Sequence, residues 1–177
     1  MSVCTPEELA LLKAAGRVVA RTLRDLRARV RPGISTAELD EQADRLFAAA
    51  GARSGPRLDH GRLGTVCISV DDEGVHGVPG PRRLREGELV KLDVTTELDG
   101  FHADACRIVA VGRARPGALR LRAAAEAALR RGMQAATAGA PINHIGRAAQ
   151  GEVQRRGFAV GTELTRHGSG APLVLTA

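Results

Sequence analysis

The chain has 177 residues, of which 44% are hydrophobic and 26% are charged, a balance typical of a folded globular protein rather than a disordered one. Its length suits one domain, or one complete unit and part of a second, and excludes two full domains. No run of about 18 apolar residues is present, and the first residues do not resemble a secretion signal. We therefore expect a cytoplasmic protein.

Composition also argues against two classes of protein. The net charge of +6 would favour contacts with phosphates, but the basic residues are spread along the whole chain. There is no tryptophan or tyrosine and only three phenylalanines, so a stacking platform for bases is hard to build and a nucleic-acid partner is not expected. The three cysteines are too scattered for a disulfide framework or a CxxC metal site, and we interpret them as reduced thiols.

Two amphipathic helices are predicted at the start of the chain. The residues at 5–8 and at 35–38 form capping boxes, in which a Thr or Ser is followed three positions later by Glu. Apolar side chains then recur every three or four positions, as one face of a helix requires. The Pro-Gly pair at 32–33 ends the first helix, and Gly51 ends the second.

The hydrophobic period changes to two after these helices. Residues 65–70 alternate between apolar and polar side chains and predict a strand. Residues 90–95 and 101–111 predict two further strands, which the Asp99-Gly100 turn joins as a hairpin. The sequence therefore predicts an α+β unit in which two helices precede a strand and a hairpin.

A weaker copy of this layout follows the hairpin. An alanine-rich helix to about residue 137 and a second helix ending at Gly157 precede the strand-like "FAVGTEL". We therefore expect a single domain over 1–177, made of a first αβ half at 5–112 and a partial second half at 116–177. A complete second half would contain another hairpin.

Two aspartates lie inside the predicted hairpin. With a two-residue turn, Asp104 lies diagonal to Asp93 and both side chains point to the same face. At roughly 5 to 7 Å and an effective dielectric constant near 20, the two carboxylates repel by about 2 to 3 kcal/mol. The face is either open to water and screened by Lys91 and Arg107, or it holds a divalent cation through hard oxygen ligands.

A cation at the aspartates needs further ligands. His76 in "VHGVPG" and His167 in "RHGSG" are the candidates, because each stands beside a glycine that permits a close turn, although a loop histidine can equally be a surface residue. A nucleophilic group made of His102, Asp104 and Cys106 is not favoured, since successive residues on one strand face do not reach one reacting atom. The "GSG" at 168–170 lacks the context of a phosphate-binding loop.

Five stretches of the chain resemble type I methionine aminopeptidase in the same order: "TPEELALLKAAGRVVA", "VRPGISTAELD", "TVCISVDDEGVHGVPG", "LVKLDVTTELDGFHADACRIVAVG" and "RHGSG". The resemblance implies the pita-bread fold, in which two related αβ halves enclose two divalent ions (cobalt, manganese, iron or zinc), with the second half incomplete here. It also implies a metallo-exopeptidase that removes the initiator methionine. The expected partners are peptides or nascent proteins that begin with methionine, and the ribosome; no membrane partner is expected.

The resemblance also assigns roles to individual residues. Asp93, Asp104 and His167 match metal ligands, and His76 matches the histidine that contacts the substrate at the scissile peptide. The family's two glutamate ligands follow the His-Gly-x-Gly motif, and the printed sequence does not include them. We therefore expect reduced metal affinity and weak or no peptidase activity from this polypeptide by itself. A noncatalytic binding module of the same fold, which holds peptides or nascent chains, is the alternative.

Overall fold

The computed structural model of the chain describes residues 3–60 and 64–161. They fall into two compact units, one up to Ala114 and one from Arg115. The helices of the first unit are α1 (Pro6–Arg29), α2 (Thr36–Ala50) and α3 (Gly55–His60). Its strands are β1 (Arg53–Ser54), β2 (Cys67–Val70), β3 (Leu89–Leu98) and β4 (Phe101–Ala110). The second unit contains α4 (Pro116–Ala135) and α5 (Asn143–Arg155). The predicted order of helices, strand and hairpin in the first unit is confirmed.

Reciprocal side-chain caps begin α1 and α2, as the sequence predicts. The Glu8 amide donates to the Thr5 hydroxyl at 3.1 Å, and the Thr5 amide donates to the Glu8 carboxylate at 3.2 Å. Ser35 and Glu38 form the same pair of hydrogen bonds at 2.8 and 3.1 Å. Gly51 ends α2 with a φ of 66°, a left-handed conformation that glycine adopts without strain. These caps fix where each helix begins and therefore which of its faces meets the sheet.

The strand β3 lies at the centre of a four-stranded antiparallel sheet. One edge of β3 pairs along its whole length with β4, and the other edge pairs first with β2 and then with the short β1. Asp99 and Gly100 connect β3 to β4 with φ angles of 51° and 85°, as a tight hairpin turn of the Asp-Gly type requires. The turn contains two residues, so it fixes the pairing of every residue in the hairpin.

One face of this sheet forms the core of the first unit. The helix α1 packs against β3 and β4, and α2 packs against α1 and β1. The strand residues in this core alternate along the chain, with polar neighbours between them: Ile68, Val70, Val90, Leu92 and Val94. Because strand side chains alternate between faces, the intervening positions form a separate, polar face on the opposite side of the sheet.

The second unit is formed by α4 packed on α5. Small alanines of both helices are buried, which lets the two backbones approach closely. Glu152 of α5 is also buried, and it accepts a hydrogen bond from Arg156 Nε at 2.6 Å and pairs with Arg155. The Arg156 hydrogen bond lowers the pKa of Glu152. That this unit is an incomplete copy of the first stays a prediction.

Leu26→Ala tests the buried face of α1. The Leu26 side chain is 0% exposed, so its truncation removes apolar contacts and leaves a cavity, and we expect the free energy of unfolding to fall by about 2 to 5 kcal/mol. Urea denaturation followed by circular dichroism measures the change. Leu9→Ala is the control in the same helix, because Leu9 is 42% exposed and its loss should cost only about 0.5 kcal/mol. Equal losses in the two variants would contradict the assignment of this face.

Candidate metal centre

The polar face of the sheet carries both aspartates singled out in the sequence. Asp93 pairs opposite Cys106, and Asp104 pairs opposite Thr95, which makes the two aspartates diagonal neighbours on one face. Their predicted common face is therefore confirmed by the register. Their role as metal ligands stays a prediction.

Only one of the two basic residues expected to screen the aspartates lies in the same row of the sheet. Lys91 stands two positions before Asp93, and its ammonium group donates to the backbone carbonyl of Asp71 at 3.1 Å. Arg107 pairs opposite Leu92, a residue of the core, and thus belongs to the other face. The positive charges of both Lys91 and Arg107 nevertheless act on the neighbouring Cys106, where they oppose the rise of its thiol pKa, and their screening of the aspartates stays a prediction.

Both aspartates lie in partly enclosed surroundings. Asp93 and Asp104 are half-buried, and the Oδ1 atom of Asp104 is shielded from solvent. Thr95, Glu97 and His102, which share this face, are buried. Carboxylates removed from water in this way are paired, hydrogen-bonded or bound to metal ions in proteins, because an isolated buried charge is costly.

The charges of the face also act on a neighbouring thiol. Desolvation, together with the negative charges of Asp93 and Asp104, raises the pKa of the Cys106 thiol to about 12. The thiolate is the nucleophilic form of cysteine, and at neutral pH almost none of it is present at this position. The structure therefore agrees with the sequence in not favouring a cysteine nucleophile on β4.

A third strand brings a second cysteine to the aspartates. Cys67 of β2 pairs directly opposite Asp93, and His76 comes from the segment between β2 and β3. One ligand atom from each of Cys67, His76 and Asp93 lies within 4.8 Å of the other two. The sequence did not single out Cys67, since its position depends on how β2 pairs with β3, and the long segment 71–88 between the strands carries no pattern that predicts it.

Backbone contacts to β2 fix the segment that carries His76. The Ile68 amide donates to the Gly77 carbonyl at 2.9 Å, and the Gly77 amide donates to the Ser69 hydroxyl at 3.0 Å. A Cβ atom at Gly77 would lie 2.2 Å from the Ile68 carbonyl oxygen, so only glycine fits. His76 itself has a φ of 63°, a left-handed conformation that is uncommon outside glycine. The exposed imidazole is thus held beside the polar face by its backbone.

Glu97 fixes the turn end of the same face. Its carboxylate accepts a hydrogen bond from Arg53 Nε at 2.5 Å and another from the Gly100 amide at 2.6 Å. These contacts join β1, β3 and the hairpin turn. The hydrogen bond from Arg53 lowers the pKa of Glu97, against the opposing effect of desolvation.

The remaining predicted ligand, His167, lies outside the described residues. Its place beside Asp93 and Asp104 therefore stays a prediction. The described part of the site is the pair of strand aspartates with Cys67 and His76 at one side.

Comparison with known proteins identifies the family. Residues 10–175 match the model of metallopeptidase family M24. The chain belongs to this family. It is 37% identical over 174 residues to methionine aminopeptidase 1 of Bacillus subtilis (strain 168), an alignment that covers 98% of this chain and 70% of that protein. It is 36% identical to methionine aminopeptidase of Staphylococcus epidermidis (strain ATCC 12228 / FDA PCI 1200), over 98% of this chain and 69% of that protein.

Solved structures of the M24 family show the same architecture. The crystal structure of methionine aminopeptidase from Thermotoga maritima matches with a TM-score of 0.96 at 25% identity and covers 100% of this chain and 72% of that chain. The enzyme from Rickettsia prowazekii matches with a TM-score of 0.94 at 26% identity, over 100% and 71%. Prolidase from Pyrococcus furiosus, at 18% identity and a TM-score of 0.84, shows the fold alone. The expected α+β pita-bread fold is confirmed.

The M24 metallopeptidases use divalent metal ions, and the described residues suit such ions. Asp93 and Asp104 offer carboxylate oxygens from two rigid neighbouring strands. The enclosed Oδ1 atom of Asp104 is a position where a cation would offset the cost of a buried charge. The donor set of the polar face therefore fits a divalent cation.

Gly77→Ala tests how the His76 segment is held. The added methyl group would collide with the Ile68 carbonyl, and we expect a lower melting temperature, equivalent to a loss of about 1 to 3 kcal/mol. Gly74→Ala is the matched control in the same segment, because nothing lies within 4 Å of its added Cβ atom. Thermal unfolding of both variants checks the difference. A Gly77→Ala protein as stable as Gly74→Ala would show that the segment does not depend on this contact.

Glu97→Gln tests the carboxylate at the hairpin turn as a function of pH. Because the folded-state pKa of Glu97 is lowered, its contribution to stability is present above the ordinary value of 4.5 and is lost as the pH falls through the folded-state pKa. The stability difference between the wild type and Glu97→Gln should therefore be largest near neutral pH and shrink in acid. Urea unfolding at several pH values measures it, with the exposed Glu41→Gln as control. A difference independent of pH would count against this role.

Proposed function

We propose that this chain provides a metal-dependent aminopeptidase site that removes the N-terminal methionine from peptides and nascent proteins. The placement of Asp93 and Asp104 as diagonal neighbours on one enclosed sheet face is the observation that carries the proposal. Membership of metallopeptidase family M24, with relatives named methionine aminopeptidase, supports it.

Asp93, Asp104 and His167 would hold the metal ions in this proposal, two ions of cobalt, manganese, iron or zinc. When bound, divalent ions supply Lewis-acid polarisation of a peptide carbonyl. The ladder between β3 and β4 holds the two carboxylates at a fixed separation, so that they need no reorganisation to act together.

The carboxylates and His76 would also position the substrate. A peptide substrate carries a positively charged α-amino group, which the negative charges of Asp93 and Asp104 attract. His76 is exposed beside these carboxylates and can exchange hydrogen bonds with the first peptide unit through a ring nitrogen. This arrangement directs the first residue of a chain, rather than an internal one, to the metal face.

The proposed partners are peptides or nascent proteins that begin with methionine. The chain would encounter the nascent proteins at the ribosome. Among residues 3–60 and 64–161 no helix is both long and apolar enough to cross a membrane. The cytoplasmic location, the lack of a nucleic-acid partner and the low activity of this polypeptide by itself stay predictions.

Asp104→Asn tests the aspartate pair directly. The substitution keeps the size of the side chain but removes a charged ligand, so we expect the affinity for Mn²⁺ to fall at least about tenfold. Asp99→Asn is the matched control: it removes the same charge from an exposed turn residue whose φ of 51° suits asparagine. Isothermal titration calorimetry measures both. Equal affinities in the two variants would exclude Asp104 as a ligand.

Release of methionine from a Met-Ala peptide, with cobalt or manganese added, tests the reaction on the same preparations. Release that depends on Asp104 supports the aminopeptidase, and robust release would contradict the expected weak activity of this polypeptide by itself. Saturable peptide binding without release, unchanged by Asp93→Ala and by chelators, would instead support the noncatalytic binding module.

A further inference from the structure

The proposed peptidase site does not use Cys67, His76 and Asp93 together as one group of ligands. Their ligand atoms, a sulfur, a ring nitrogen and a carboxylate oxygen, lie within 4.8 Å of one another. Ligands that stand about 2.0 to 2.3 Å from one zinc ion lie roughly 3.3 to 3.8 Å from each other in a tetrahedral site. Small side-chain rotations would therefore bring the three atoms to a common ion.

The sulfur atom decides which cation suits this set. Thiolate and imidazole ligands favour zinc, whereas carboxylates alone favour manganese, magnesium and calcium. We propose that Cys67, His76 and Asp93 form a zinc-binding site that is separate from the Asp93–Asp104 pair but shares Asp93 with it. Three protein ligands leave the fourth tetrahedral position open to water or to a ligand.

The backbone holds the three ligands in place and leaves a path for the ion. Cys67 is 7% exposed and stands opposite Asp93 in the ladder between β2 and β3. His76 is held by the contacts of Gly77 with β2, yet its side chain is exposed. The cation can therefore enter from the His76 side, and the buried sulfur and the half-buried carboxylate complete its shell.

Because the two sites share Asp93, zinc binding should affect the cation held by the Asp93–Asp104 pair. Zinc held by Cys67 and His76 takes one oxygen of Asp93 away from the pair with Asp104, so zinc and Mn²⁺ should weaken each other's binding. This zinc site goes beyond the proposed peptidase reaction and does not depend on it, since binding can be measured whether or not peptides are cleaved.

Cobalt(II) is the probe for the sulfur ligand, because a cobalt–thiolate bond gives a charge-transfer absorption in the near ultraviolet. We expect this absorption on titration of the wild-type protein and its loss in Cys67→Ser. Cys106→Ser is the matched control, since Cys106 faces Asp93 from the opposite neighbouring strand, β4, and is not one of the three described residues whose ligand atoms converge. Cys4→Ser serves as a second control on an exposed cysteine. Both controls should keep the absorption.

X-ray absorption of the zinc-loaded wild-type protein provides a measurement without any substitution. One sulfur at about 2.3 Å from zinc is expected, together with nitrogen and oxygen ligands. Calorimetry should show a loss of zinc affinity of at least about tenfold in Cys67→Ser and in His76→Gln. Asp104→Asn should keep the sulfur ligand of zinc and the cobalt–thiolate absorption, which separates this site from the proposed peptidase site. A zinc shell without sulfur, no cobalt–thiolate absorption in the wild type, or an absorption that survives Cys67→Ser would overturn the proposal.

Discussion

The backbone hydrogen bonds on the two edges of β3 decide which side chains meet in the first unit. Asp93 faces Cys67 across one edge and Cys106 across the other, and Asp104 is reached diagonally through β4. A shift of one residue in either pairing would turn a whole row of side chains to the opposite face. The buried Leu92 on the core side opposes such a shift. A shift of one residue would place a charged neighbour in the core instead of Leu92, at a large cost in free energy. The packing of the core thus fixes the chemistry of the other face.

Local signals in the sequence were sufficient for most of the first unit. The capping boxes, the Asp99-Gly100 turn and the alternation in β3 each involve residues a few positions apart, and each appears in the structure. The very short β1 and α3 were missed, since two and six residues are too few to show a period. Cys67 was missed for a different reason: it meets Asp93 across a long connection.

The charged groups of the polar face oppose folding, but the same groups can bind a cation. Half-buried carboxylates and a buried glutamate are expensive to enclose unless each is paired or bound. A cation that binds only the folded chain would stabilise it by about 2.7 kcal/mol at a concentration of 100 times its dissociation constant. Metal content and thermal stability should therefore vary together in this unit. Any comparison of stability between preparations has to control the metal bound to each.

The contact between Gly77 and β2 also limits how the polar face can open. The Ile68–Gly77 hydrogen bond joins the His76 segment to β2, so the segment cannot swing outward without disturbing that strand. The His76 side chain remains exposed to solvent, however. Rotamer changes of exposed side chains occur within about picoseconds to nanoseconds, far faster than most loop openings. Among the described residues, the His76 imidazole would then be the group that controls entry to this side of the face.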